Sequence, residues 1–281
     1  MRSLFLALFL VSAIACSQGP GEASSASAID GRHSDYIPEG YELVWNDEFE
    51  GEGLPDSNNW GYQTGAHGWG KKEMQYYTEA RPMNVRVEDG KLIISAVYEP
   101  NAPVPYTSTR LVSKNKAEFT YGFFDIRAKL PSGRGLVAGL WMVGDTVTQI
   151  GWPNAGEIDI MEYAGFKPDS VYGTSQSVSA NYVRGTSISS PFYLPSASTE
   201  FNNYSLYWDR DELIWYVNGE EYHRQDRLAN FNYNNWPYSW PFYLIMNVAV
   251  GGTWGGQQGI DNGVFPAEME VDYIRVYQEA N

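Results

Sequence analysis

The chain has 281 residues, enough for one large all-β domain or two small ones, and a formal net charge of −15. Such a surface, with no basic stripe, excludes nucleic acid and anionic membranes as partners. Aromatics make up 15% of residues, with 10 Trp and 21 Tyr, and 28 Gly and 15 Pro break any long helical periodicity, so the composition predicts a turn-rich sandwich or barrel.

Met1-Arg2-Ser3 gives a short positive start, and Leu4 to Ala13 an apolar run too short to span a bilayer. Residues 1–15 therefore read as a secretory signal peptide. Ala13-Ile14-Ala15 runs directly into Cys16, which resembles a bacterial lipobox and would make Cys16 the lipidated first residue of the mature chain. The alternative is an ordinary signal peptide that contains a cysteine. Export as a cell-envelope lipoprotein, or as a secreted protein, follows from either. Cys16 is also the single cysteine, so no intramolecular disulfide can form. Residues 16–38, rich in Ser, Gly and Ala, read as a flexible tether, and 39–279 as the folded domain.

Within that domain, Tyr41 to Trp45 is the first strand-like run, leading into Asn46-Asp47-Glu48-Phe49. Val85 to Glu88, an Asp89-Gly90 turn and Lys91 to Ile94 predict a hairpin. Phe124, Ile126, Ala128 and Leu130 alternate with Asp125, Arg127 and Lys129, the pattern of a half-buried strand. Tyr204, Leu206 and Trp208 give another, and Leu213 to Val217, Asn218-Gly219, Glu220 to His223 the strongest hairpin signal in the chain. The last strand runs from Met269 to Tyr277. A dozen or so short strands without α/β alternation predict an antiparallel β-sandwich of the jelly-roll (concanavalin-like) type, with a concave face for a polymer. Trp45, Trp60 and Trp208 sit in strand-like runs and read as core. In the last strand Asp272 shares parity with Ile274, which turns it inward and demands a partner. Arg, a backbone donor, or a structural calcium ion held with backbone oxygens near Glu48 and Gly90 would each serve. His67 reads as exposed, and the three histidines have no metal-ligand spacing.

The densest chemistry lies in Gly156-Glu157-Ile158-Asp159-Ile160-Met161-Glu162. Carboxylates alternating with aliphatics predict a strand whose Ile158 and Ile160 face the core while Glu157 and Asp159 face a groove. Strict alternation would put Met161, not Glu162, on the acidic face, so a β-bulge before Glu162 is required to restore it. The outer glutamate backbones would then lie about 13 Å apart, and long side chains leaning inward could approach the ~5–5.5 Å of a retaining glycosidase pair. A merely solvated acidic strand, or a cation site, is the competing reading. Trp141, Trp152 and Tyr163 around the string favour the catalytic one, since aromatic faces are what sugar rings stack on. Three clustered carboxylates cannot all ionise cheaply, and an acid/base role would place the shared proton on Glu162.

Taken together, Trp45-Asn46-Asp47-Glu48-Phe49, His67-Gly68-Trp69-Gly70, Glu73-Met74-Gln75-Tyr76-Tyr77, Ala128 to Gly135, Gly156 to Glu162, Asn247 to Gly252 and Trp254-Gly255-Gly256 resemble glycoside hydrolase family 16, in its laminarinase (endo-β-1,3-glucanase) branch. The resemblance runs from Tyr41 to Tyr277. It implies Glu157 as nucleophile, Glu162 as acid/base and Asp159 as helper, with no cofactor for catalysis and often a structural calcium, here at Glu48, Gly90 and Asp272. Trp141, Trp152, Arg110, Gln176, Asn247 and Trp254 become the candidate substrate-binding residues, on a chain expected to act as a monomer.

The chain departs from that branch at the cleft. Where the branch usually has Gly-Thr-Trp-Pro-Ala-Ile-Trp there is Gly135-Leu136-Val137-Ala138-Gly139-Leu140-Trp141, and Tyr172-Gly173-Thr174-Ser175-Gln176 replaces His-Gly-Thr-Val-His. Lys71-Lys72 stands for the usual Asn-Asn. These changes predict weaker action on plain β-1,3-glucan and room for a bulkier or anionic sugar. Mixed-linkage glucan, an agar- or carrageenan-type galactan, or a surface glycan-binding lipoprotein without turnover are the alternatives.

Overall fold

The computed structural model describes residues 36–280, so the signal segment, Cys16 and most of the tether lie outside the described residues. Two sheets make up the domain. One has ten strands and follows the spatial order Glu220–Asp226, Glu212–Val217, Asn202–Trp208, Gly122–Lys129, Ala267–Glu279, Lys91–Tyr98, Tyr106–Ser108, Gln75–Tyr77. Tyr41–Asp47 pairs with the long last strand, and Val85–Glu88 with Lys91–Tyr98. The other sheet has eight strands: Ile188–Tyr193, Ser170–Gln176, Glu157–Ala164, Leu136–Gly144, Phe242–Val250, Arg110–Val112, Gly61–Tyr62, with Glu118–Phe119 beside Phe242–Val250. Pairing is antiparallel except between Gln75–Tyr77 and Tyr106–Ser108. This is the expected jelly-roll sandwich, cut into more and shorter strands than the turn count suggested.

Alternation decides which side chains meet between the sheets. Phe124, Ile126 and Ala128 from one sheet and Leu140, Ile158 and Met246 from the other are fully buried in a single large core, together with Trp60 and Trp208. Trp45 is half-buried and meets Trp60 edge-on, 5.9 Å between ring centres. The outer face of the eight-stranded sheet carries a smaller apolar cluster, Val112, Val143, Tyr243 and Ile245, against which Trp141 packs. That face becomes the floor of the cleft.

Both hairpins form as the sequence predicts. Asn218 (φ 49°) and Gly219 (φ 79°) take the two left-handed positions that a two-residue hairpin turn needs. Gly219 has a second reason to lack a side chain, since a Cβ there would fall 2.1 Å from the Tyr36 ring.

One carboxylate departs from the simple alternation reading. Asp125 belongs to the polar set of its strand yet is fully buried, because Ser205, Asn203 and the Tyr273 hydroxyl all donate to it. Asp272 is buried as expected, and its Oδ2 accepts from Arg127 at 2.6 Å. Glu48 in turn receives a two-pronged ion pair from Arg275, at 2.8 Å on each oxygen. Arginine is thus a charge partner of both carboxylates. Among the described residues no three acidic, His or Cys side chains are placed to hold a metal ion, so the calcium expected with backbone oxygens near Glu48, Gly90 and Asp272 has no side-chain cluster behind it. Among those residues, too, no helix is long and apolar enough to cross a membrane.

Candidate active site

The strand Glu157–Ala164 crosses the middle of the eight-stranded sheet, paired with Leu136–Gly144 on one side and Ser170–Gln176 on the other. Its register slips against both neighbours: between Asp159 and Glu162 on one edge, and opposite Leu140/Trp141 on the other. This is the bulge that the carboxylate spacing required. Ile158, Ile160 and Met161 stay in the core, while Glu157, Asp159 and Glu162 all line one cleft of about 440 Å³. Gly139 sits directly across from Glu162, and a Cβ there would press within 3.3 Å of Trp141 and Asn247. The floor stays open because it has none.

Each carboxylate has a different environment. Glu157 accepts from Gln176 Nε2 at 2.7 Å. Burial pushes its carboxyl up to about 7; the positive charge of Lys71 opposes that rise and the charge of Glu162 reinforces it. Asp159 is 2% exposed, and its Oδ2 is buried without a hydrogen-bond partner. Burial first, then the charges of Glu162 and Glu157, hold it well above the usual carboxylate range. Its backbone is fixed by Trp215, whose Nε1 donates to the Asp159 carbonyl at 2.9 Å. Glu162 is held at both oxygens, by Lys71 Nζ at 3.2 Å and by the Thr174 hydroxyl at 3.2 Å. The sequence placed the shared proton on Glu162. Burial raises the carboxyls of Asp159 and Glu157, which lie deepest, and the Lys71 ammonium sits against Glu162.

The candidate substrate-binding residues divide. Trp141, Trp152, Arg110 and Asn247 line the cleft. Trp141 Nε1 donates to Asn247 Oδ1 at 2.7 Å, and Asn247 Nδ2 donates to the Tyr77 hydroxyl at 3.0 Å, so Asn247 orients the tryptophan ring. The Arg110 guanidinium lies over both Trp69 and Trp141, 4.8 and 4.5 Å from the ring centres. Gln176 is not a wall residue. It is buried, with its Oε1 accepting from Tyr182 N at 3.0 Å, and serves to position Glu157. Trp254 stands beside the cleft, edge-on to Tyr172 at 5.7 Å.

Two cleft features were not legible in sequence. Tyr182 packs against Trp152, the ring centres 4.7 Å apart and the planes tilted by 32°, extending one aromatic wall from a short 3₁₀ turn. Lys71, read only as loop charge, reaches Glu162 itself; Lys72 is exposed. Burial alone would lower the Lys71 ammonium, but the fields of Glu162, Glu157 and Asp159 together outweigh it and raise its pKa.

An antiparallel sandwich with converging carboxylates on one bulged strand, walled by aromatic rings, has the build of a polysaccharide-cleaving hydrolase. The sequence model of the glycosyl hydrolases family 16 matches residues 63–275, and the chain belongs to that family. It is 48% identical over 258 residues to a beta-glucanase of Rhodothermus marinus, covering 90% of each chain. The solved laminarinase structure from that organism superposes with a TM-score of 0.83 at 47% identity, covering 86% of this chain and 98% of that one. A keratan-sulfate endo-1,4-beta-galactosidase of Sphingobacterium multivorum is 34% identical, over 85% of this chain and 55% of its own.

Proposed function

We propose that this glycoside hydrolase is an endo-β-1,3-glucanase acting on a laminarin-like glucan by double displacement with retention. The observation that carries the reading is the bulge between Asp159 and Glu162, which gathers three carboxylates of one strand into an aromatic-walled cleft. Glu157 attacks the anomeric carbon, and Glu162 protonates the departing glycosidic oxygen. Water deprotonated by Glu162 then opens the glycosyl-enzyme with a second inversion. Asp159, buried between the two glutamates on the same strand, assists them through its raised affinity for a proton. Trp141, Trp152 and Trp254 offer faces to sugar rings, and Arg110 offers donors to hydroxyls. The names of the 48% and 47% identical relatives, beta-glucanase and laminarinase, support a laminarin-like β-glucan.

The cleft departures favour a second polymer as the alternative substrate. Val137 lines the cleft where the laminarinase branch usually has tryptophan, and one relative is named for a galactosidase activity. Reducing-sugar release from laminarin, mixed-linkage glucan and galactans decides between them. Laminarin turned over fastest supports the proposal; no release from any polymer, with binding retained, would mean a glycan-binding protein instead.

On sequence alone we also propose export, with Cys16 as a lipid anchor to the cell envelope.

A further inference from the structure

Lys71 is not a free surface lysine. Its backbone is fastened on two sides: Lys71 N donates to Gly68 O at 3.1 Å, and its own carbonyl accepts from Thr253 N at 2.7 Å. The side chain is a quarter exposed and runs inward, its ammonium 5.3 Å from the Tyr182 ring centre and 5.7 Å from that of Trp254. It ends 3.2 Å from Glu162 Oε1, while Thr174 holds Glu162 Oε2. The rigid delivery and the two flanking rings leave it one destination, the carboxylate cluster.

We propose that Lys71 is a positioning residue of this hydrolytic centre: its ammonium clamps Glu162 and, by its charge, keeps Glu157 available as an anion. The proposal rests on the assignment of Glu157 as nucleophile. Three carboxylates within one cleft would otherwise repel one another, and the asparagine usual at this place in the laminarinase branch has no charge to offset them. Lys71 is the cation nearest the bulge. Arg110, the other cation facing the cluster, is engaged with Gln63 Nε-to-Oε1 at 2.7 Å and stacked on Trp69 and Trp141. The remaining titratable groups around the cluster are Glu73 on the lysine's own loop, His67 at the cleft mouth, and the phenols of Tyr77, Tyr182, Tyr222, Tyr238 and Tyr243. Glu73 and the phenols carry no positive charge in either protonation state, and His67 stands exposed at the mouth.

The first arm of the test needs no substrate. Full-length protein labelled with ¹³C at the glutamate side-chain carboxyl carbon is titrated from acid to alkaline pH as wild type, K71M, K71N and K71R, with E157Q to assign the signal. The wild-type Glu157 signal is expected to titrate near 7. In K71M and K71N it should move up by about one pH unit or more, and in K71R stay with wild type. On laminarin the acid limb of kcat/KM should move with it, costing K71M about tenfold at pH 6 and progressively less as pH rises. Folding is checked by circular dichroism, and K71N stands in if K71M does not fold. An unmoved Glu157 titration in folded K71M or K71N overturns the proposal. A moved titration with no wild-type action on laminarin upholds Lys71 and refutes the glucanase reading instead.

Discussion

Glu157→Gln should make the enzyme inactive and, above neutral pH, more stable. Folding raises the Glu157 carboxyl from the ordinary 4.5 to about 7, with burial as the main cause. Between those two values the unfolded chain has released its proton and the folded chain has not, so stability falls as pH rises through this window. At about 1.4 kcal/mol per pH unit, the wild type gives up about 3 kcal/mol by pH 8. Glutamine titrates nowhere, and its Oε1 can still accept from Gln176. Removing the charge also relieves Asp159, which changes stability in the same direction. For a domain of this size, melting temperatures of variant and wild type should agree to within a few degrees at pH 4 and differ by roughly 6–12 °C at pH 8, the variant being higher. Thermal unfolding followed by circular dichroism across that range is the assay. A difference that stays constant with pH, or wild type gaining on the variant as pH rises, would refute the burial argument.

Gln176→Leu removes a hydrogen bond to a buried carboxylate worth about 1.5–3 kcal/mol, so the acid limb of kcat/KM should climb by roughly one to two pH units; Gln176→His, which keeps an N–H donor, should climb less, and equal profiles for all three proteins would count against the positioning role. Val137→Trp adds a ring to the cleft wall and should raise kcat/KM on laminarin about tenfold or more, by analogy with stacking on nucleobases; a fast wild type with no gain in the variant would mean that the substrate does not touch this wall. Cys16→Ala should release the protein from the membrane fraction or block its maturation, and a soluble product from both forms would end the lipoprotein reading.

The sheets were legible because local signals agreed with the fold. Asn218-Gly219 and Asp89-Gly90 fix their turns, and the E-x-D-x-x-E spacing demanded a bulge that the register contains. Burial was legible for apolar residues only. Asp125 alternates like a surface residue, and only partners 78 to 148 residues away in sequence let it lie in the interior. The same limit hid Lys71, whose contact with Glu162 spans 91 residues and leaves no periodicity to read. Gln176 was found by position but given the wrong task, since a strand neighbour of Glu157 can face either the sugar or the carboxylate. Which carboxyls burial raises is likewise a tertiary quantity: depth selects Asp159 and Glu157.

The central claim is the division of labour between Glu157 and Glu162, and azide tests it most directly. Glu162→Ala should be very slow on laminarin. On an aryl β-laminaribioside, whose leaving group needs no acid, azide should restore its rate and yield the β-glycosyl azide, because Glu157 still forms the covalent intermediate that azide opens. Glu157→Ala should give at most the α-glycosyl azide, by direct displacement. A β-azide from Glu157→Ala, or no rescue of Glu162→Ala by any concentration of azide, would contradict the assignment.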